Sequence, residues 1–189
     1  MQKIITFSLI ISSFFCFSQE RKALYLKGNA LFAPIGVINA GLEYQLSENY
    51  TLQGDVLISP WRSFTGKHAQ IYFGVIEGRY YFKEAFKKWY VGANAGSGVF
   101  DITKYNYFGT DLFQRGFTFT LGATVGYQFQ WKERWNIDLF LGGGTVQSFY
   151  HGYESVPPNI FRYEDANGWN KSGEFLPYRG GIMVSYKLR

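Results

Sequence analysis

The segment from Phe117 to Gln130 reads FTFTLGATVGYQFQ and decides the fold of this chain. Apolar side chains occupy its odd positions, and threonine, glycine or glutamine occupies every even position. Successive side chains of a β-strand point to opposite faces, so a strand separates these two sets, whereas a helix mixes them. The same period of two runs from Val37 to Leu46. Both segments therefore predict strands with one apolar face and one small or polar face.

The composition of the chain favours the same fold class. Its 189 residues include 19 phenylalanines, 15 tyrosines, 5 tryptophans and 22 glycines, and aromatic residues are enriched in strands. The formal net charge is +5, but the basic residues are scattered and form no clustered stripe of the kind that binds nucleic acid. We therefore expect a single all-β domain and no nucleic-acid partner.

Extending the period of two along the chain predicts eight strands. We expect them at about residues 23–32, 37–46, 50–59, 69–82, 89–100, 116–130, 135–146 and 175–188. Alternate connections are short and polar, at 47–49, 83–88 and 131–134. The others are longer, at 59–68, 101–115 and 147–174, with the exception of the short one at 33–36. This asymmetry predicts an eight-stranded antiparallel up-and-down transmembrane β-barrel.

A soluble barrel of the lipocalin type would also have eight strands, so the apolar face must be assigned to the inside or the outside. Eight strands enclose an interior that side chains just fill. The small and polar set fits that interior, and the apolar set then faces outward, which lipid tolerates. Aromatic residues at strand ends suit the headgroup zone of a membrane. These residues are Tyr44, Tyr50, Trp61, Tyr80, Tyr81, Phe82, Trp89, Tyr127, Trp131, Trp135, Tyr178 and Tyr186.

The first 18 residues have the pattern of a secretory signal peptide. Met1-Gln2-Lys3 is positively charged, and Ile4 to Phe17 carries no charge but is too short for a spanning helix. Ser18 suits the position before a cleavage site, so we expect residues 19–189 to form the exported barrel domain. The single cysteine, Cys16, lies in this segment, which leaves the mature chain without disulfides. A lipid anchor at Cys16 is the minor alternative, because a bulky phenylalanine precedes it.

The C-terminal strand resembles the signal by which barrel-assembly machinery recognises its clients. The pattern here is a polar Arg179, then Gly181, a hydrophobic Val184 and an aromatic Tyr186. Many clients end at the aromatic residue, whereas this chain continues to Arg189. The signal peptide predicts export through the Sec pathway. The resemblance of the last strand implies the assembly machinery as a partner and integration into a Gram-negative outer membrane among its lipid and lipopolysaccharide.

Over nearly its whole mature length, the chain also resembles a family of small OmpA-like outer-membrane β-barrels known as a domain of unknown function. The resemblance is carried by Asn29, Pro34, Gly41-Leu42-Glu43, Ser59-Pro60-Trp61, Glu77 to Phe82, Arg115-Gly116, Gly126-Tyr127 and Trp135 to Asp138. The family pattern has glutamate where this chain has Asp138 and tryptophan where it has Tyr81. The resemblance implies a fold and a location, and it implies no activity.

Charged residues fall on the inward face of several predicted strands. Six of them follow the period of two, namely Glu43, Asp55, Glu77, Arg79, Asp138 and Arg179, and Lys27 is a further candidate. A charge in a narrow interior is costly unless it is paired and hydrogen-bonded. One interpretation is a salt-bridge network that closes the lumen, with Arg79 as the central cation. The alternative is a narrow gated ion path in which the same pairs exchange partners.

Ser148, His151 and Glu154 in the last long connection suggest a lipid-modifying enzyme of the lipid A deacylase or phospholipase type. A serine nucleophile needs a base within hydrogen-bond reach, but on an extended segment Ser148 and His151 project to opposite faces. We therefore expect a non-enzymatic barrel with a structural role or a binding role, and we keep the enzyme as the alternative. An extracellular ligand or partner protein would bind through the connections 59–68, 101–115 and 147–174.

Other motifs predict no cofactor and no metal. The glycines at 142–144 and 92–98 are followed by neither a helix nor the lysine of a phosphate-binding loop, so we interpret them as strand positions where a small barrel bends. His68 and His151 stand in the sequence without acidic neighbours at ligand spacing. The sequence thus favours no catalytic chemistry beyond the serine and histidine pair.

Overall fold

The structure is a computed structural model, and it describes residues 22–64, 66–156, 158–163 and 168–189. The expected signal peptide at 1–18, its cleavage before Gln19 and the Cys16 thiol lie outside these residues. The described residues are strands and connections, with two short 3-10 helices at Ala33–Ile35 and Tyr105–Tyr107. In this part of the chain, no helix has the length and apolar character needed to cross a membrane.

Nine strands account for most of the described chain. They are β1 (Leu24–Asn29), β2 (Ile38–Gln45), β3 (Tyr50–Phe64), β4 (Lys67–Tyr81), β5 (Lys88–Ile102), β6 (Leu112–Lys132), β7 (Trp135–Val156), β8 (Asn159–Arg162) and β9 (Asn170–Lys187). All the pairings between them are antiparallel. Aromatic and β-branched side chains pack well on a pleated sheet, which explains why these segments are extended.

Eight of the nine strands pair around a closed ring. Strands β1 to β7 pair each with the next, and β9 closes the ring by pairing with both β7 and β1. The remaining strand, β8, pairs with Tyr153 to Val156 at the far end of β7. The prediction of eight strands therefore misses β8. The segment 147–174, which the sequence pattern assigned to a connection, contains β8 and long extensions of β7 and β9.

The two ends of the ring are unlike. At the end that we call the turn end, the connections are 46–49, 82–87 and 133–134. At the opposite end, the loop end, β1 connects to β2 through 30–37 and β5 to β6 through 103–111. The predicted long connection 59–68 is wrong, because β3 and β4 pair regularly as far as Trp61 and Ala69 and, after an irregularity, again at Phe64 and Lys67. Paired backbone groups of a neighbouring strand stabilise this extension, and the local sequence does not show them.

The alternation of side chains between the inner and outer faces shifts once, in β9. Gly142 of β7 pairs with Arg179, but the next residue, Gly143, pairs with Pro177. The extra residue, Tyr178, makes a β-bulge, so both Tyr178 and Arg179 face the lumen. The expectation that Tyr178 belongs to the outer aromatic girdle is therefore wrong.

Candidate functional site

Charged side chains meet inside the ring, in the half of the lumen nearest the turn end. The structure brings together all six residues of the expected interior network, which are Glu43, Asp55, Glu77, Arg79, Asp138 and Arg179, and it adds Lys27. Their side chains are at most 7% exposed. Three cations thus face four carboxylates in a largely buried space. We call these seven residues the charge network.

Two cations bridge the same pair of carboxylates at the centre of the charge network. Lys27 Nζ lies 2.7 Å from Glu43 Oε2 and 2.6 Å from Asp138 Oδ2. Arg79 Nη1 lies 3.2 Å and 2.9 Å from the same two oxygens, and its Nε donates to Glu77. Arg79 therefore contacts three carboxylates, which come from β2, β4 and β7. Since these strands lie on different sides of the ring, the contacts tie its walls together.

Arg179 forms the upper layer of the charge network, towards the loop end. Its Nη2 donates to Asp55 Oδ1 at 2.8 Å, and its Nη1 lies 3.0 Å from Glu77 Oε2. Arg179 is on the inner face in the same alternation as the buried Met183 and Ser185, and the bulge adds its neighbour Tyr178 to that face. Glu77 links the two layers, since it contacts both Arg79 and Arg179.

Hydroxyl groups complete the hydrogen bonding of the carboxylates in the charge network. Thr51 Oγ1 donates to Glu43 Oε1 at 2.7 Å, Thr124 Oγ1 to Glu77 Oε2 at 2.7 Å, and the Tyr90 hydroxyl to Asp138 Oδ1 at 2.9 Å. The Tyr81 hydroxyl also lies 2.8 Å from Glu43 Oε1. These bonds offset the excess of one carboxylate over the cations. Without them, an extra buried anion would be strongly unfavourable.

Tyr81 and Tyr90 are the members of this site that the sequence analysis missed. Both are fully buried inside the ring, whereas the girdle interpretation placed Tyr81 outside. The signal that could have found Tyr81 is the period of two in β4, because Tyr81 shares a face with Glu77 and Arg79. Its neighbours Tyr80 and Phe82 are exposed on the outer side, which is why the run of three aromatics is misleading.

Glycines on the inner wall make room for these large side chains. A Cβ at Gly126 would collide with the Tyr90 ring, and a Cβ at Gly92 would lie 3.0 Å from the carboxyl carbon of Glu77. At Gly122, a Cβ would lie 2.6 Å from the Tyr178 hydroxyl. The glycines of β5 and β6 therefore act through the space that they leave inside a narrow ring.

An aromatic cluster closes the turn end below the charge network. The connection 82–87 folds inward, and Phe86 packs against Tyr25 with ring centroids 4.4 Å apart and against Tyr81 at 6.1 Å. Phe86 has φ 66°, a left-handed conformation that is uncommon for a bulky residue. Burial of its ring compensates for this strain. Together, the aromatic cluster and the charge network fill the lumen from the turn end to about its middle.

The other half of the lumen contains two adjoining cavities. The first, the network cavity, has a volume of about 340 Å³ and is bordered by Asp55 and Arg179 of the charge network. The second, the rim cavity, has a volume of about 310 Å³ and extends to Lys104 and Glu174 at the loop end. Leu57, Phe73 and Tyr178 border both cavities. The interior is thus filled by side chains in one half and hollow in the other.

The structure does not bring Ser148, His151 and Glu154 together. All three lie on β7, which is extended from Trp135 to Val156. Ser148 faces the rim cavity and its Oγ lies 3.0 Å from Thr118 Oγ1, whereas the His151 ring stacks on Trp169 with centroids 4.1 Å apart. Glu154 lies further along β7, opposite Leu112 of β6. This arrangement has no nucleophile and base in contact among these residues.

His68 has an acidic partner that the sequence pattern did not reveal. The pairing of β4 with β5 places its Nδ1 2.7 Å from Asp101 Oδ1, and Arg115 of β6 donates two bonds to the other oxygen of Asp101. The His68 ring also stacks on Phe113 at 3.9 Å between centroids. Since Ile71 and Ile102 face the lumen, the alternation puts His68 and Asp101 on the outer face. Within the described ranges, no three His, Cys, Asp or Glu side chains group as metal ligands.

The chain was compared with known protein families, curated proteins and solved structures. The model of a family described as protein of unknown function, DUF3575, matches residues 5–187. No curated protein and no solved structure matches the chain.

Proposed function

The chain belongs to the DUF3575 family, whose function is unknown, and we propose that it is an integral outer-membrane β-barrel of non-enzymatic function with a closed lumen. In this proposal, the eight paired strands of the ring cross the bilayer. The turn end faces the periplasm, and the loop end carries the surface that binds an external ligand or partner. The placement among OmpA-like barrels is part of the same proposal.

The observation that carries the proposal is the inverted distribution of polar and apolar side chains. Ile76, Leu121 and Leu141, on the outer face, are 65%, 67% and 60% exposed, whereas Glu77, next to Ile76, is fully buried. Soluble monomers rarely expose large continuous apolar surfaces. A lipid bilayer accepts such an outer face and leaves the charges to pair inside.

Paired aromatic side chains support the same orientation. At the turn end, Tyr50 contacts Tyr80 with ring centroids 5.1 Å apart, Trp89 contacts Tyr127 at 5.2 Å, and Trp135 contacts Tyr186 at 4.9 Å. All six are outer-face residues near the connections 46–49, 82–87 and 133–134. Tyrosine and tryptophan prefer the interface between lipid tails and water, so these pairs fit one girdle of a membrane barrel.

The charge network and the aromatic cluster support the proposal of a closed lumen. Ions would have to pass Arg79, which is held by three carboxylates, and then the buried rings of Tyr81 and Phe86. Separating a buried ion pair costs several kcal/mol, so spontaneous opening is rare. We therefore favour the closed barrel over the gated ion path and expect planar bilayers with the purified protein to show no steady conductance of general-porin size. Such a current in the wild-type protein would contradict the closed lumen.

Membrane insertion is tested by an arginine on the outer face. Leu121→Arg places a charge near the middle of β6, and at the bilayer midplane it should lower the free energy of unfolding by about 2–4 kcal/mol. The measurement is urea unfolding of the protein refolded in phosphatidylcholine vesicles. As the matched control, Tyr105→Arg changes an exposed residue of the connection 103–111 and should shift the free energy by no more than about 0.5 kcal/mol. Equal effects of the two changes would overturn the membrane assignment.

The alternative of a lipid-modifying enzyme has less support. Its sequence candidates, Ser148 and His151, face opposite sides of β7, and His68 with Asp101 forms a base and carboxylate pair without a nucleophile contact among the described hydrogen bonds. We therefore keep the binding or structural role as the proposal.

A further inference from the structure

The inner face of the ring changes character halfway along the strands. On β3 the inward residues pass from Gln53 and Asp55 to Leu57. On β4 they pass from Arg79 and Glu77 to Val75, Phe73 and Ile71, and on β5 from Asn94 to Phe100 and Ile102. One wall of the upper lumen is therefore apolar, although the lumen of a membrane barrel has no lipid to cover it.

The opposite wall of the rim cavity carries several uncharged polar groups beside the apolar Val146 and Leu176 and the charged Glu174. The side chains with hydroxyl or amide groups come from β6, β7 and β9, namely Gln114, Thr118, Thr120, Ser148, Tyr150, Ser172 and Tyr178. Two of these groups are buried, and Gln114 Oε1 and Thr120 Oγ1 have no hydrogen-bond partner among the residues that the structure describes. A buried polar atom without a partner is unfavourable, so a ligand that reached these two atoms would gain hydrogen bonds there.

The formal charges around the rim cavity cancel. Its charged lining residues, Lys104 and Glu174, lie at the loop end with Nζ and Oε1 3.9 Å apart. An ionic ligand would therefore enter a site with no unpaired counter-charge and would lose its hydration without compensation. The volume of about 310 Å³ is within the range of small-molecule sites, and the surrounding ring excludes a folded partner.

We infer that the rim cavity is a binding site for a neutral, amphipathic small molecule. One face of the ligand is apolar and packs against Leu57, Ile71, Phe73, Phe100 and Ile102. Its opposite edge carries hydroxyl or carbonyl groups that reach Gln114 and Thr120. The charge network forms the floor below the adjoining network cavity, so the ligand enters and leaves at the loop end. This inference goes beyond the proposed function, because it assigns a ligand class to the lumen itself.

The test uses 2-naphthol, a neutral aromatic alcohol, and methyl NMR of the full mature chain in lipid nanodiscs. The methyl groups of Ile71, Ile102 and Val146 report on the rim cavity. Those of Ile76, Leu121 and Val125 lie on the outer face and report on partition of the probe into lipid. We expect saturable shifts of the cavity methyls at probe concentrations that leave the outer methyls unchanged. Shifts of both sets that rise together without saturation would overturn the inference.

A second probe, used with the wild-type protein, tests whether the ligand must be neutral. Naphthalene-2-sulfonate has the same rings and an anionic group, and we expect at least tenfold weaker binding for it. Equal affinity for the two probes would show that charge does not select the ligand and would contradict the inferred class.

Variants then locate the polar contact. Thr120→Val should weaken binding of 2-naphthol about fivefold, which corresponds to one net hydrogen bond. The matched control is Thr145→Val, since Thr145 is exposed on the outer face of β7, and its affinity should equal that of the wild type. The same affinity in both variants would overturn the placement of the ligand against Thr120. Failure of the membrane proposal would appear separately, in the unfolding of Leu121→Arg.

Discussion

The two halves of the lumen are lined by the same strands, but their interiors are opposite in character. Near the turn end, Lys27, Arg79 and Arg179 pair with four carboxylates, and Phe86 packs beneath them. Near the loop end, Phe73 and Ile102 border cavities of about 340 and 310 Å³. The difference shows that a small ring of strands need not be filled along its whole length. One half holds the walls together, and the other half is left for binding.

The physical reason for the division lies in the cost of buried charge. Each charged group of the network is stabilised only while its partners stay in place, so that half must be dense and rigid. Apolar side chains around a cavity need no such fixed partners, so small movements of neighbouring atoms cost them little free energy. Substitutions on the two sides of the boundary should therefore have different effects on the free energy of unfolding.

The largest effect is expected for Arg79→Ala. The change leaves Glu43, Glu77 and Asp138 short of a cation in a fully buried site, so the free energy of unfolding should fall by about 3–5 kcal/mol. Urea unfolding in vesicles measures this loss. The Phe86 ring stays below the network, so the variant should still show no large conductance in planar bilayers.

The control for that change is Arg115→Ala, which removes another arginine that is paired with a carboxylate. Arg115 contacts Asp101 at 2.7 Å, but its side chain is 50% exposed at the loop end. Water reaches the Arg115 side of the pair, and the 11% exposed Asp101 keeps His68 as a partner, so the free energy of unfolding should fall by no more than about 1–2 kcal/mol. If Arg115→Ala destabilised the protein as much as Arg79→Ala, that result would contradict the assignment of the rigid half to the charge network near the turn end.

An intermediate effect is expected when two threonines of β6 are compared. Thr124 lies in the half of the lumen that contains the charge network, and Thr120 lies in the half that contains the cavities. Thr124 donates a hydrogen bond to Glu77 and accepts one from Asn94. Thr124→Val should therefore lower the free energy of unfolding by about 1.5–3 kcal/mol. Thr120 lies on the same face of β6 nearer the loop end, and it has a buried Oγ1 without a partner in the described chain. Thr120→Val should therefore leave the stability unchanged or raise it by up to about 1 kcal/mol. A loss in Thr120→Val as large as that in Thr124→Val would remove the distinction between the halves.

The smallest effect is expected for the residues of the enzyme alternative. Ser148 borders the rim cavity and His151 stacks outside on Trp169, so Ser148→Ala and His151→Ala should leave the lipid A of the host unchanged. Mass spectra of lipid A from strains with the wild-type gene, with each variant and without the gene provide the measurement. A species that requires the gene and disappears in both variants would establish catalysis and overturn the binding role.

Much of the site follows from alternation in the sequence. Glu43, Glu77, Arg79 and Asp138 share the inward face of regular strands, and for such strands the period of two is sufficient. The period of two does not predict the inward position of Tyr178, because one extra residue in β9 reverses the alternation and no local signal marks the bulge. The period of two also does not predict the extensions of β3 and β7 beyond their apolar segments, since these depend on strands that are distant in sequence.

By itself, the sequence determined that the chain is all-β, which face of each strand is apolar, and which charged side chains share the other face. These properties depend on residue type and on the two-residue repeat of a strand, both of which are local. The tertiary structure alone decided that Phe86 closes the turn end, that Asp101 meets His68, and that the upper lumen is hollow. The contact of His68 with Asp101 depends on the register of β4 against β5. The other two depend on closure of the ring, because a contact across the lumen exists only after all eight strands have paired.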